Sequence, residues 1–194
     1  GRMEKAQKAL LGVIELHPDP EALCALSRLA TRDSDTREAK ASAMTYTSKA
    51  MQVAPKHPVV LLQAADHAFK VGHAKQTNGE PPPEWALAKS FLEEAAEGVC
   101  SKQVRAELHY QQGRLAHVKG DVAKAMREYE QSVDLMPQHQ IAVYTLAQCL
   151  VHRKLYSRAM KLLEKSPKHM RQEPEVLKLL ITAYLATNDN EHNH

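Results

Sequence analysis

The sequence predicts an all-α protein made of stacked pairs of antiparallel helices, about ten helices in all. The first observation is a pattern that recurs about every 34 residues, with units that begin at Ala106, Gln140 and Pro174. The second is that small residues return with it, since Gly113 and Ala147 are both eighth in their units. The third is composition, because 7 Gly, 6 Tyr and 2 Phe in 194 residues argue against a sheet-rich fold. One helix pair cannot bury its apolar face alone, so the units must stack.

The N-terminal part is predicted to contain one partial repeat followed by one complete repeat. Residues 5–16 have helical periodicity and stop at His17-Pro18, which is typical of a second helix, so residues 4–18 are predicted as a partial repeat. Helices at 21–30 and 38–53 follow and form the predicted repeat 20–55.

The next predicted repeat, 58–101, is irregular. Pro58 stands where a helix-opening proline is tolerated, and apolar residues then line one face as far as Gly72. Residues 73–84 include Asn78-Gly79 and Pro81-Pro82-Pro83, so an exposed proline-rich loop is predicted there before helix resumes over 85–97.

Two regular units are predicted at 106–137 and 140–172. The recurring small residues are expected where paired helices approach most closely, because larger side chains there would overpack the contact. Tyr129 and Leu163 are expected to fill the space beside them, and Pro137 is expected to end its helix. The predicted structural repeat positions are Gly113, Ala125, Tyr129, Pro137, Ala147, Ala159 and Leu163.

A second partial repeat is predicted at 174–187, with a helix over 175–186 whose inner face carries Leu177, Leu180, Ile181 and Tyr184. Residues 188–194 are predicted to form a disordered tail. Residues 4–187 would then be a single array in which a helix at each end lacks its mate, and this predicts a fragment of a longer array.

No constellation for catalysis is present. The chain has no phosphate-binding glycine loop, zinc-protease motif or nucleophile elbow, so no enzymatic activity and no cofactor are predicted. Cys149 and His152 share a helix, but two ligands do not make a metal site. The three cysteines lack paired spacing, which favours free thiols in a reducing compartment. No apolar run is long enough to span a membrane, and no apolar stretch follows the opening Gly1-Arg2-Met3 as a signal peptide would require.

The period and the small residues at its eighth and twentieth positions resemble the tetratricopeptide repeat (TPR) family over about residues 4 to 187. The resemblance implies a right-handed superhelical TPR-type solenoid. It also implies that first helices line a concave groove, that second helices face outward, and that the groove binds segments of other proteins.

The groove and the outer face each have candidate residues. Aromatic rings and arginine on the first helices suit protein recognition, because those types dominate binding hot spots. The predicted partner-groove residues are Leu62, Asp66, Phe69, Tyr110, Arg114, His117, Tyr144, Gln148 and His152. A basic face on the outer side is predicted from residues that step by four, three and four along one helix: Lys154, Arg158, Lys161 and Lys165.

The basic face leaves an alternative function open, a nucleic-acid-associated helical repeat, although a net charge of +3 is too small to announce one. A third possibility is a chaperone-type TPR adaptor, which would hold a C-terminal carboxylate with Lys and Asn. The corresponding positions carry Asp66, Arg114 and Gln148 without any Asn, and this disfavours such a clamp.

Within the superfamily, a closer likeness is to TPR scaffold subunits of the Paf transcription-elongation complex. It is carried by Pro58 through Leu61 with Ala65, His67 and Phe69, and by the segment from Tyr110 to Tyr129. The inserted proline-rich loop and the scarcity of Phe and Tyr depart from that pattern. The resemblance implies a nuclear protein whose groove holds other subunits of the complex; otherwise a cytoplasmic TPR protein is expected.

Overall fold

The computed structural model describes residues 2–32, 36–76, 80–98 and 101–191, with only the backbone at 2–3 and 188–191. Eleven helices and no strands occur over these residues, which confirms the predicted all-α fold. The helices are α1 Arg2–Leu16, α2 Pro20–Arg32, α3 Arg37–Val53, α4 Pro58–Lys75, α5 Pro83–Glu97, α6 Lys102–Val118, α7 Val122–Leu135, α8 Gln140–His152, α9 Tyr156–Glu164, α10 Lys168–Arg171 and α11 Pro174–Glu191.

The helices fall into two compact units, residues 1–100 and 101–194. In the first unit α2 pairs with α3 and α4 pairs with α5, while α1 packs on α2. One core cluster of this unit joins Leu23 and Cys24 of α2 to Ala50 of α3 and Val60 of α4. Burial of these apolar faces holds the helix pairs together.

The second unit repeats the same arrangement. Helix α6 pairs with α7, α8 pairs with α9, and α11 packs on α9 and α8. One cluster is centred on Ala125 and Tyr129 of α7. A second joins Val143 and Ala147 of α8 to Leu163 of α9.

Most helix starts have a local cause in the sequence. Ser101 Oγ accepts a hydrogen bond from the Val104 amide at 3.3 Å, and Asp121 Oδ1 accepts one from the Lys124 amide at 2.9 Å. Each satisfies an amide that the first turn of a helix leaves without a partner. Pro58 begins α4, as predicted, because a proline costs nothing at the first helical position.

The predicted loop 73–84 is too long. Helix α4 continues through Gly72 to Lys75, and α5 already begins at Pro83. Gly72 lies inside the helix and packs against α5: a Cβ there would come within 2.6 Å of Trp85 Cδ1. The glycine therefore permits a close helix crossing instead of ending the helix, and of the shortened connection residues 77–79 lie outside the described part.

The end of the chain also differs from the prediction. Helix α11 runs to Glu191, so the backbone at 188–191 is helical and the tail predicted at 188–194 is wrong for those residues. Residues 192–194 lie outside the described part. The helix continues because Thr187 to Glu191 contain no glycine or proline to stop it.

The prediction that Leu177, Ile181 and Tyr184 lie inward on α11 is wrong, because they are 43%, 58% and 55% exposed. The residues that do pack inward are Val176 and Ala183, which are 3% and 0% exposed.

Candidate functional site

The small repeat positions lie at the helix crossings. In the α6–α7 pair, a Cβ on Gly113 would come within 2.5 Å of Tyr129 Cε1. In the α8–α9 pair, Ala147 and Leu163 are both 0% exposed and share one core cluster. A larger first-helix residue is therefore matched by a smaller second-helix residue at the same position of the repeat. Pro137 lies just after α7, in the exposed turn that leads to α8.

At the corresponding helix crossing of the first unit, between α2 and α3, the side chains that meet are polar. Ser27 of α2 and Thr47 of α3 are both buried, and their hydroxyl oxygens are 2.9 Å apart. His67 Nε2 of α4 lies 3.0 Å from Ser27 Oγ, and the Gln63 amide donates to Ser27 Oγ at 3.3 Å. Burial lowers the pKa of His67 below its usual value. Desolvation disfavours the charged imidazolium here, so this histidine belongs to the packing of the unit.

The groove positions of α6 are built around one tyrosine. The Tyr110 ring is 5.9 Å from the Tyr129 ring and meets the His139 ring edge-on at 5.3 Å. The Arg114 guanidinium carbon lies 5.7 Å from the centre of the Tyr110 ring, within the range of a cation–π contact. His117 is exposed at the end of the same helix. Tyr110 is thus partly a support of the core and partly a surface residue.

The corresponding positions of α8, in the next repeat of the same unit, also combine a tyrosine with a polar side chain. The Gln148 side-chain amide donates to the Tyr144 hydroxyl at 3.0 Å, as Arg114 covers Tyr110 in the preceding repeat. Gln148 and His152 are exposed, and Ile141 on the same helix is 58% exposed. We define the groove surface as Tyr110, Arg114, His117, Ile141, Tyr144, Gln148 and His152; these side chains are aromatic, apolar or able to hydrogen-bond.

A histidine in the turn between α7 and α8 supports the groove surface. His139 Nδ1 lies 3.2 Å from Ser132 Oγ, and His139 Nε2 lies 3.2 Å from Glu107 Oε2. This Ser–His–Glu arrangement has the order of a catalytic triad, but Ser132 is 0% exposed and no substrate could reach its hydroxyl. The arrangement joins α6, α7 and the start of α8, and its only signal in the sequence is a histidine in a predicted turn.

The groove positions predicted in the first unit are less open. The prediction that Leu62 meets a partner is wrong, because its side chain is packed into the core and 5% exposed. Asp66 forms an ion pair with Lys70 at 2.7 Å. The Phe69 ring is partly buried and stacks 6.2 Å from the Trp85 ring. Two of these three side chains therefore serve mainly the packing of the first unit.

The basic face is smaller than predicted. Arg158 and Lys161 lie in α9, and Lys165 follows as its C-cap with helical backbone angles. Lys154 does not share their face, because it lies in the turn before α9 with φ at +59°. Arg158 is in an ion pair with Glu130 of α7 at 2.7 Å. Lys161 and Lys165 remain as exposed cations on that side of α9.

Lys154 occupies the site at which a glycine ends the equivalent helix of the previous repeat. After α6 the chain passes through Gly120 with φ at +80°, and the Asp121 amide donates back to the Ala116 carbonyl at 3.0 Å. After α8 the Leu155 amide donates to the Leu150 carbonyl at 2.8 Å in the same pattern. These are two Schellman caps one repeat apart, and the second has lysine where glycine is favoured. The spacing from Gly120 would have identified Lys154 in the sequence.

In the part of the chain that the structure describes, metal ligands do not cluster. Over the described ranges, no three His, Cys, Asp or Glu side chains come together as ligands of a metal ion. Cys149 is buried whereas His152 is exposed, so the two do not point to one ion. Among the described helices, none is both long enough and apolar enough to cross a membrane.

Comparisons with known proteins agree with this geometry. The model of the tetratricopeptide repeat family matches residues 119–181. The RNA polymerase-associated protein CTR9 of Caenorhabditis elegans is 26% identical over 193 residues, which cover 98% of this chain and 16% of that protein. The chain therefore spans about one sixth of the length of this relative.

Among solved structures, a thermophilic TPR protein of Thermus thermophilus superposes with a TM-score of 0.67 at 20% identity, over 96% of this chain and 91% of that one. At this identity the likeness concerns the fold alone. The chain is thus similar to tetratricopeptide repeat proteins, in sequence over residues 119–181 and in fold over nearly its whole length.

Proposed function

We propose that this chain is a non-enzymatic scaffold that binds segments of partner proteins on the groove surface. The observation that carries the proposal is the repetition of that surface on α6 and α8: Arg114 lies over the Tyr110 ring in one repeat, and Gln148 donates to the Tyr144 hydroxyl in the next. Helix packing alone would not need these polar side chains on the outside. Aromatic rings with adjacent hydrogen-bond donors are what peptide-binding surfaces use.

We further propose that the partners belong to the Paf transcription-elongation complex and that the chain acts in the nucleus. The similarity to CTR9, whose name describes association with RNA polymerase, supports this assignment. The groove surface would then hold segments of other subunits of the complex.

The test is affinity purification from nuclear extract with variants of the two surfaces. The groove variant is Ile141→Asp with Gln148→Ala, because both side chains are exposed and neither change opens the core. Tyr110 is unsuitable, since its ring contacts Tyr129 and His139 and its loss would disturb folding. The matched control is Lys161→Glu with Lys165→Glu, two exposed positions in α9 and at its C-cap.

We expect the groove variant to lose Paf-complex subunits by about tenfold, equivalent to about 1.4 kcal/mol, while the control retains them. Retention of every partner by a folded groove variant would overturn the proposal. Loss of partners only in the control, with binding that weakens steeply as salt rises, would assign function to the basic face and favour the nucleic-acid alternative.

A further inference from the structure

Two turns of the second unit lie at one edge of it. They are the turn from α6 to α7 and the turn from α8 to α9, and each joins the two helices of a pair. Ala116 near the end of α6 and Leu150 near the end of α8 belong to one core cluster, to which the first turns of α7 and α9 also contribute. The two turns are therefore neighbours, separated by about one helix diameter, roughly 10–12 Å.

Cations recur at the same two positions of these turns. Lys119 and Arg153 are the C-caps of α6 and α8. Lys124 and Arg158 are the third residues of α7 and α9. Lys154 adds a fifth cation in the second turn, and all five side chains are exposed. The edge therefore presents positive charge in both repeats.

Helix stability explains only part of this pattern. A cation at the C-terminal end of a helix is favourable, which is a sufficient reason for Lys119 and Arg153. Lys124, however, lies in the first turn of α7, where the helix dipole disfavours positive charge. Lys154 has the left-handed backbone, with φ at +59°, that favours glycine. Residues in such strained conformations cluster at binding sites, so these two lysines indicate a functional surface.

Four of the five cations are available to a partner. Arg158 is engaged by Glu130 at 2.7 Å. Within the described part of the chain, none of the other four forms an ion pair. We define the turn edge as these four residues: Lys119, Lys124, Arg153 and Lys154. None of them belongs to the groove surface, so an inference about this edge does not depend on the proposed function.

We infer that the turn edge is a binding site for an acidic peptide segment of a partner protein, in extended conformation, whose acidic residues recur at every third position. An extended chain advances about 3.3 Å per residue, so three residues span about 10 Å. This is close to the separation of the two turns, and successive acidic residues can therefore meet Lys119 and Arg153.

An acidic peptide fits this edge better than a nucleic acid does. The exposed Asp121 lies between Lys119 and Lys124 in the sequence, and its carboxylate caps α7 by accepting from the Lys124 amide at 2.9 Å. A nucleic-acid strand has a phosphate about every 3.4 Å and would bring one of them close to this carboxylate. A peptide with acidic residues three apart can place a neutral residue there instead.

The probes are two fluorescein-labelled twelve-residue peptides of identical composition, with four Asp among Ser and Gly. One has Asp at every third position, and the other has its four Asp adjacent. A labelled single-stranded oligothymidine of the same number of units is the third probe. Each is titrated by fluorescence anisotropy with the full chain in low-salt buffer, because salt screens exposed charges.

The edge variant is Lys124→Gln with Lys154→Gly. Neither lysine is favoured by its local backbone or helix position, so this variant is expected to fold at least as stably as the full chain, which thermal denaturation checks. The matched control is Lys161→Gln with Lys165→Gln, which removes the same charge from exposed positions beyond the first turn of α9.

The full chain is expected to bind the spaced peptide about fivefold more tightly than the peptide with adjacent Asp, because only the spaced one can reach both turns at once. The edge variant should weaken binding of the spaced peptide by about fivefold. The control should bind it as the full chain does. Lys119→Gln with Arg153→Gln removes the other two cations and should weaken binding to a similar extent.

The inference is overturned if the spaced peptide shows no saturable binding, if both peptides bind equally, or if the edge variant and the control lose binding alike. Tighter binding of the oligothymidine, weakened in the edge variant, would also overturn it, because the ligand would then be a nucleic acid. Self-association of the full chain in sedimentation that the edge variant abolishes would do the same, because a second copy would occupy the edge.

Discussion

The ring of Tyr129 lies against the backbone of Gly113 so closely that a methyl group on the glycine would sit 2.5 Å from Cε1. No real Cβ tolerates that distance, and the ring is itself 1% exposed and cannot swing away. The α6–α7 crossing therefore depends on the absence of a side chain at Gly113. One helix pair along, Ala147 is accommodated because its partner is Leu163 rather than a tyrosine.

This relationship predicts a change of sign in a double-mutant cycle. Gly113→Ala should destabilise the chain by roughly 1–3 kcal/mol, because the new methyl group overpacks the Tyr129 ring. In a Tyr129→Leu background the same change should stabilise it by about 0.5–1 kcal/mol, since alanine is the better helix former. Urea denaturation of the four proteins measures the cycle. Equal effects of Gly113→Ala in both backgrounds would contradict the close contact.

The backbone of Lys154 should be strained, and a glycine at this position should relieve the strain. A non-glycine residue in the left-handed region costs roughly 1–2 kcal/mol of stability. Replacing it by glycine removes this strain, but glycine is more flexible in the unfolded chain, and this offsets part of the gain. Lys154→Gly is therefore expected to stabilise the chain by about 0.5–1 kcal/mol, and Gly120→Ala at the equivalent cap should destabilise it by a similar amount. Thermal denaturation detects both. A loss of stability in Lys154→Gly would refute the assignment of this cap.

The stability of the first unit should fall in mild acid because of His67. Burial lowers the pKa of His67 in the folded chain, so the unfolded chain binds the proton more readily. The contribution of neutral His67 is complete above the unfolded pKa of about 6.5 and is lost as the pH falls from there through the folded value. The neighbouring charges, Asp66 and Lys70, have opposing effects on this titration.

Trp85 provides the measurement, because it is the single tryptophan of the chain and is 3% exposed in the same unit. The urea midpoint followed by its fluorescence should decrease as the pH is lowered from neutral into the mildly acidic range. In His67→Gln this decrease should be smaller, since the amide can bond to Ser27 without titrating. A pH dependence that is the same in both proteins would show that other groups cause it.

The two described cysteines should resist alkylation in the native state. Cys24 is 0% exposed, and burial raises the pKa of its thiol to about 11. Burial also raises the pKa of Cys149, which is 5% exposed. In mildly alkaline buffer both are protonated and shielded, whereas the thiolate is the reactive form. Peptide mass spectrometry after iodoacetamide treatment should show labelling of both only under denaturing conditions; rapid native labelling of Cys24 would be incompatible with its burial.

The sequence by itself determined the helix pairs. The repeat period, with Gly113 and Ala147 in the first helices and Ala125 and Ala159 in the second, predicted where helices pair, because close crossings admit only small residues and every repeat must meet that requirement. The starts at Pro58 and Pro83 also have local causes. These features follow from neighbours near in sequence or from the repeat itself.

Only the tertiary structure decided which face of each helix is covered. Leu62 and Leu177 are both apolar positions on first helices, yet Leu62 is buried and Leu177 is 43% exposed. The sequence pattern of a single helix shows that it has an apolar face, but it does not show which neighbouring helix packs against that face. The ring of Tyr110 contacts Tyr129 of another helix, which the pattern of α6 alone does not show. The geometry of the turn after α8 likewise places Lys154 outside helix α9. The period therefore predicted the pairing and most of the groove positions, while packing decided which of those positions are exposed.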